Sequence, residues 1–356
     1  MSIPSPPTLA GRVARYRRPP FRGRTACGAK SPLHPLPVKR ARGAYWLKWL
    51  TAISAEINVG PFIEVVLGGL MAGVLYSLVA LGFVLIYKAS GVFNFAQGAM
   101  VLLAALAFAR FSEVMPMPVA FLLAALLMVG AAFAIERLVL RHLVNQEGII
   151  LFLATFGITY FIEGLGPQLF GDNIYRIDLG MPKEPKIILE SMFDGGILIN
   201  LEDFIAAGIA AILVTFLAIF FQKTATGRAL RAVADDHQAA QSVGIPLNHI
   251  WVIVWSVSGF VALVAGMIWG SKLGVQFSLV LIALKAIPVV ILGGFTSIPG
   301  AIVGGLIIGV GEKIAEVYLG PIIGGGIENW FAYVLALAFL LFRPEGLFGE
   351  RHIDRV

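Results

Sequence analysis

Charge, cysteine and histidine are all scarce in this chain, and each scarcity removes a class of answer. Charged residues fill 13% of the 356 positions, against about 25% in soluble proteins. Hydrophobic residues fill 58%, and the mean hydropathy is +0.86. Length alone would suggest two soluble domains; this composition overrides it. Cys27 is the only cysteine, so neither a disulfide nor a thiolate metal site forms within one chain. The five histidines (His34, His142, His237, His249 and His352) are scattered, and none sits in the middle of an apolar run. There is no G-x-x-x-x-G-K-(S/T) loop to cradle a nucleotide. No Ser-His-Asp set and no carboxylate pair stands in a plausible cleft. A membrane enzyme is poorly supported, no cofactor is called for, and energy for any work must come from a gradient or from a partner.

Acids are also missing from the start of the chain. None occurs before Glu56, while eleven of the 27 basic residues lie between Arg12 and Lys48. Residues 57–356 therefore hold sixteen basic residues against twenty acidic ones. The body is mildly acidic despite the net charge of +6, so nucleic-acid binding is the wrong inference from the overall charge. Residues 1–56 hold eight of the nineteen prolines and no apolar core of signal-peptide type. They read as disordered, as a start placed too far upstream, or as a basic arm on anionic lipid.

What is present is a series of long apolar runs, several near the roughly 20 residues that cross about 30 Å of hydrocarbon. The runs are Phe62–Tyr87, Asn94–Phe108, Val119–Ile135, Ile149–Gly166, Leu201–Phe221, Trp251–Gly270, Ala301–Val317 and Trp330–Phe342. A shorter piece, Leu279–Leu292, carries Lys285 and Pro288 and reads as a broken or re-entrant helix. The fold class is all-α: a polytopic helical bundle of eight to nine spans in a lipid bilayer. Gly68, Gly69 and Gly73 allow helices to approach closely. With nine spans counted, Lys88, Arg137, Arg141, Lys223, Arg228, Arg231, Arg343 and Arg351 share one side. By the positive-inside rule that side is cytoplasmic. The acidic loop 171–200 then faces outward, as does the basic extension, against the same rule.

One long polar stretch interrupts the apolar body, Thr224–Ile250, within a candidate coupling loop 223–250. Thr226 is placed to cap a run of helix formers, Asp235 and Asp236 follow, and Gly244-Ile245-Pro246 closes the segment. A short amphipathic helix between two spans makes a rigid knob at the membrane surface. The pattern G-R-A-L-R-A-V-A-D-D…A-A…V-G-I resembles the ATPase-contacting loop of an ABC importer permease. The match is closest to the LivH-type permeases of branched-chain amino acid uptake systems. Further motifs agree in order: Asn94-Phe95-Ala96-Gln97-Gly98 with N-F-A-(H/Q)-G, and Glu136 to Arg141 with E-R-L-(V/L)-x-R. Leu292-Gly293-Gly294 to Gly304-Gly305 resembles a G-G…G-(A/P)-x-x-G-G stretch, and Arg343 to Gly349 resembles R-P-x-G-L-F-G. The resemblance covers about residues 62 to 351 of a permease domain 57–351, with 352–356 as a tail.

The resemblance implies two cytoplasmic ABC ATPase subunits that use ATP and Mg, a second related permease, and a periplasmic substrate-binding protein as partners. It places the protein in the bacterial inner (plasma) membrane, and loop 171–200 is the candidate face for the binding protein. It implies ATPase coupling through Thr226, Gly227, Arg228, Arg231, Asp235, Gly244 and Ile245. Arg228 and Arg231 either pair with acids on the ATPase or only set topology. Gly227 and Gly244 read as turn or cap positions. The candidate translocation pathway is Asn94, Gln97, Gly98, Thr155, Thr159 and Lys285. Asn94 and Gln97 open a span, where free N–H groups suit a substrate carboxylate, or else they cap it. Thr155, Thr159 and Glu163 share one helix face. Lys285 either snorkels or meets an acid such as Glu312, which could equally form an interfacial pair with Lys313. Urea or short-chain amides are alternative cargoes, and an ion-coupled secondary transporter is the alternative machine.

Overall fold

The computed structural model describes residues 59–143, 146–171, 173–188, 196–235 and 237–349. The extension 1–56, the tail 352–356, and Asp172, Glu190, Asp194, Asp236 and Arg351 lie outside the described residues. The helices are α1 (Val59–Ser90), α2 (Gln97–Val114), α3 (Met117–Leu138), α4 (Gly148–Phe170), α5 (Leu201–Lys223), α6 (Ala225–Asp235), α7 (His237–Ser242), α8 (Leu247–Leu273), α9 (Val280–Gly293), α10 (Ile298–Ile314), α11 (Gly320–Ile323) and α12 (Phe331–Phe342). An antiparallel hairpin, β1 (Pro185–Ile188) and β2 (Ile197–Asn200), pairs Pro185 with Asn200 and Ile188 with Ile197.

Seven helices among the described residues are long and apolar enough to cross a membrane: α1 to α5, α8, and α10 with its continuation to Ile323. Two are apolar but shorter, α9 with the turn before it (Phe277–Gly293) and α12. In the sequence the last run counts as a full span, yet α12 has 12 helical residues, about 18 Å of rise.

Contacts at the helix termini sort the chain into two ends. At one end Lys88 Nζ donates to Thr296 O (3.1 Å) and Trp251 Nε1 to Ala89 O (3.2 Å). There the tail folds back, Leu347 N donating to Leu292 O (2.8 Å) and Phe348 N to Gly293 O (3.1 Å). At the other end Leu198 N donates to Glu64 Oε2 (3.2 Å), Tyr175 bridges Val275, and Lys313 pairs with Glu328 (3.1 Å). Lys88, Arg231, Thr296 and Phe348 line one shallow cavity, which brings two of the basic residues together at the first end. We call it the basic end and its opposite the outer end. The short α9, 14 residues with Pro288 inside it, begins beside Gly98 at the start of α2 and ends at Gly294 on the basic end, while the chain before it, at Val275, lies toward the outer end.

Helices α1, α2 and α8 are mostly buried, whereas α3, α4 and α5 expose most of their apolar surface. Inside, α1 crosses α10 with backbone against backbone. Gly69 and Gly73 stand four apart on α1, and Gly305 and Gly309 four apart on α10. A Cβ at Gly73 would lie 2.5 Å from Gly305 O, and one at Gly69 2.6 Å from Val310 Cα. Hydrocarbon gives no hydrophobic drive between helices, so close packing of small residues carries the association. Ser77 Oγ adds a tie, 3.2 Å from Ile302 O. Gly68, grouped with Gly69 in the sequence reading, instead faces open space.

The Trp251–Ala89 hydrogen bond fastens α8 to the end of α1 in a buried position. Trp251→Phe keeps the ring packing and removes the donor. The expected loss is about 1–2 kcal/mol, read as a lower thermal unfolding midpoint in detergent.

Candidate functional site

The polar stretch folds into α6 and α7 at the basic end, joined directly to α5. Leu230 and Val233 are buried, three apart on one face of α6, while Arg228 and Asp235 are exposed. The cap of α6 is Thr224, whose Oγ1 accepts from Gly227 N at 3.2 Å. Thr226 lies within the first turn, two residues past the capping position. Gly227 is a close-approach residue and not a turn or cap: a Cβ there would lie 2.5 Å from Phe221 C and collide with Phe221 O. Arg231 Nη1 donates to Phe221 O (2.7 Å) and Arg228 Nη1 to Lys223 O (3.2 Å). Both guanidiniums thus cap the negative end of the α5 dipole. Gly244 is a cap as expected, with φ +86°: its N donates to Gln241 O and Ile245 N to Ala240 O, each 3.0 Å. Beside it, Val243 is 75% exposed at the tip of the knob.

The Asn94–Gly98 motif turns the chain back into the bundle. Gln97 opens α2 beside Gly82, eight residues before the end of α1, so α2 starts about 12 Å inside. Asn94 Oδ1 accepts from Ala96 N (3.0 Å), and Phe95 N donates to Thr155 Oγ1 (3.3 Å). Gln97 Oε1 accepts from Ser258 Oγ of α8 at 2.7 Å. Thr159 Oγ1 donates to Thr155 O at 2.9 Å. Asn94, Gln97, Thr155, Thr159 and Ser258 are all buried. Phe93, Phe95 and Phe152 pack around the bend, with ring centroids 5.2 Å and 5.0 Å apart along the chain of three. Buried polar atoms in such surroundings need partners, and this knot supplies most of them from within the chain, leaving Gln97 Nε2 without one. Gly98 packs against α9, with a Cβ position 2.6 Å from Val280 O.

Lys285 sits elsewhere. Its Nζ is 3.1 Å from Glu312 Oε1, and Tyr76 OH donates to the same oxygen, also at 3.1 Å. The Lys285 side chain is 28% exposed and that of Glu312 only 2%. Removing one member of such a pair strands a buried charge, at a cost of about 3–5 kcal/mol. Tyr76 stacks on Trp269 (6.0 Å), and Lys272 lies over the Trp269 ring (5.5 Å) while pairing with Asp203. Lys313 pairs with Glu328 and not with Glu312. These groups border a cavity of about 370 Å³ near the outer end, between α1, α8, α9 and the start of α5.

Residues 65–343 match the family described as branched-chain amino acid transport system / permease component. The chain belongs to that family. It is 27% identical to the high-affinity branched-chain amino acid transport system permease protein LivH of Escherichia coli over 317 residues, 83% of this chain and 98% of that protein. It is 28% identical to BraD of Pseudomonas aeruginosa, with the same coverage, and 28% identical to the probable LivH of Methanocaldococcus jannaschii over 79% of this chain and 91% of that one. The LivH-type resemblance read from short motifs therefore extends over the whole body of the permease.

Geometry divides the permease's candidate residues into three places. Thr226 to Ile245 form the knob. Asn94, Gln97, Gly98, Thr155 and Thr159 form one knot where α2 begins. Lys285 alone reaches the outer cavity. Sequence reasoning missed Thr224, Ser258, Tyr76, Trp269 and Lys272. Thr224 was legible, since a threonine three before Gly227 is a capping pattern. The others meet their partners only across the fold.

Thr224→Ala is expected to destabilise the knob by about 1 kcal/mol, and Thr226→Ala to leave it near wild type. Gly227→Ala must lever α6 off α5 and cost about 2–3 kcal/mol. Hydrogen exchange over residues 225–246 separates the three.

Proposed function

We propose that this permease is the membrane-spanning subunit of an ATP-driven importer that carries branched-chain amino acids across the bacterial inner membrane. The observation that carries the reading is the α6–α7 knob, fastened by Thr224, Gly227 and Arg231 to the end of a membrane span in a chain of this family. A knob hung on a flexible linker would absorb a push; one packed backbone to backbone transmits it to α5. The basic end faces the cytoplasm by the positive-inside rule, so the knob meets cytoplasmic ATPase subunits that bind ATP and Mg. Arg228, Asp235 and Val243 form its exposed contact surface. The hairpin at the outer end faces a periplasmic binding protein. A second, related permease completes the path. The relatives' names, which give branched-chain amino acid transport, support the cargo.

The test is reconstitution of the permease with an ATP-binding partner and uptake of labelled leucine into vesicles. Leucine should accumulate only with ATP. Val243→Asp should cut uptake at least tenfold while the protein remains in the membrane at its normal level. Uptake driven by a proton gradient without nucleotide would replace this reading with a secondary transporter.

A further inference from the structure

The outer cavity has the size and wall chemistry of a ligand site. Its volume of about 370 Å³ lies within the range of about 300–1,000 Å³ usual for small molecules. One side is aliphatic: Met71, Ala72, Leu75, Leu281 and Ile282. The rest carries charge, and the charges come as pairs: Lys272 with Asp203, Lys313 with Glu328, and Lys285 with Glu312 just behind the wall. A ligand with net charge would leave one member of a pair unmatched, at greatest cost where the buried Glu312 is involved. A zwitterion places a carboxylate on an ammonium and an ammonium on a carboxylate with the total still balanced.

Lys285 is built to change partners. It faces the cavity, whereas Glu312 is sealed behind it. Glu312 Oε1 accepts from both Lys285 and Tyr76. When Lys285 turns toward a ligand carboxylate, the Tyr76 hydroxyl stays on Glu312. The acid keeps a hydrogen bond through the exchange, which lowers its cost.

We propose that this cavity is a binding site, within the permease itself, for the zwitterion of an aliphatic α-amino acid, with Lys285 as the carboxylate anchor. This rests on the transport reading above and adds the residues that hold the cargo. The aliphatic strip on α1 and α9 takes the side chain, and Asp203 or Glu328 takes the ammonium.

The test measures labelled leucine binding to the purified permease–ATPase assembly without a binding protein, and leucine uptake by the complete system. Two variants are compared with wild type: the charge exchange Lys285→Glu with Glu312→Lys, and Met71→Trp, which fills the cavity from its aliphatic side. The exchange restores a purely structural ion pair but turns the anchor into a repulsive acid. Both variants should lower leucine binding at least tenfold, with the permease–ATPase assembly recovered at its normal level. 4-Methylpentanoate and isoamylamine, each lacking one charged group of leucine, should compete at least tenfold more weakly than leucine. If the wild-type system imports leucine but both variants bind and import it within twofold of wild type, the site assignment is overturned and the transport reading stands. If the wild-type system imports no leucine, the transport reading itself falls, and this site with it.

Discussion

The crossing of α1 and α10 sets the positions on which the remaining structure depends. Four glycines, in two pairs spaced by four residues, let two helix backbones touch. No side chain intervenes, so the separation of the helices is fixed by main-chain atoms that cannot change rotamer. Tyr76 lies just beyond Gly73 on α1, and Glu312 just beyond Gly309 on α10. The helices are antiparallel, so these two residues flank the crossing on opposite sides, and their long side chains reach back across it to hydrogen-bond. Lys285 then ties α9 to the same point. The inner wall of the outer cavity follows from glycine packing a turn away.

The two ends of the bundle are held by different chemistry. At the outer end side-chain ion pairs join α5 to α8, α9 to α10, and α10 to the turn before α12. Such pairs can open and re-form with other partners. At the basic end the ties run to backbone carbonyls: Arg231 to Phe221, Lys88 to Thr296, Trp251 to Ala89. Those ties hold helix ends in fixed register. An exchangeable outer end and a fixed basic end suit a transport subunit moved from one side.

The spans were legible because about twenty apolar residues in a row have few other fates. Their facing was not. These helices are apolar all round, so no stripe tells the packed face from the open one, and only the structure separates the buried α1 from the largely exposed α4. The Lys285–Glu312 pair was one of two readings, since charge in an apolar segment demands a partner but does not name it. Gly227 was noticed for the wrong reason: a glycine required by a close neighbour looks the same in sequence as one required by a turn. Asn94 and Gln97 drew attention as polar residues at a helix start. Their actual bonds, to Ala96 and to Ser258, join residues two apart and residues on separate helices. The hairpin went unread because two strands of four residues give too short a pattern.

The most direct measurement of this account is a glycine-to-alanine series followed by thermal unfolding in detergent. Alanine at Gly69, Gly73, Gly305 or Gly309 forces two backbones apart, and each should cost about 1–3 kcal/mol. Alanine at Gly68 or Gly130, which have nothing within 4 Å, should leave stability unchanged or raise it by up to about 1 kcal/mol. Equal tolerance at all six positions would contradict the crossing, and with it the placement of Tyr76, Lys285 and Glu312 around the cavity.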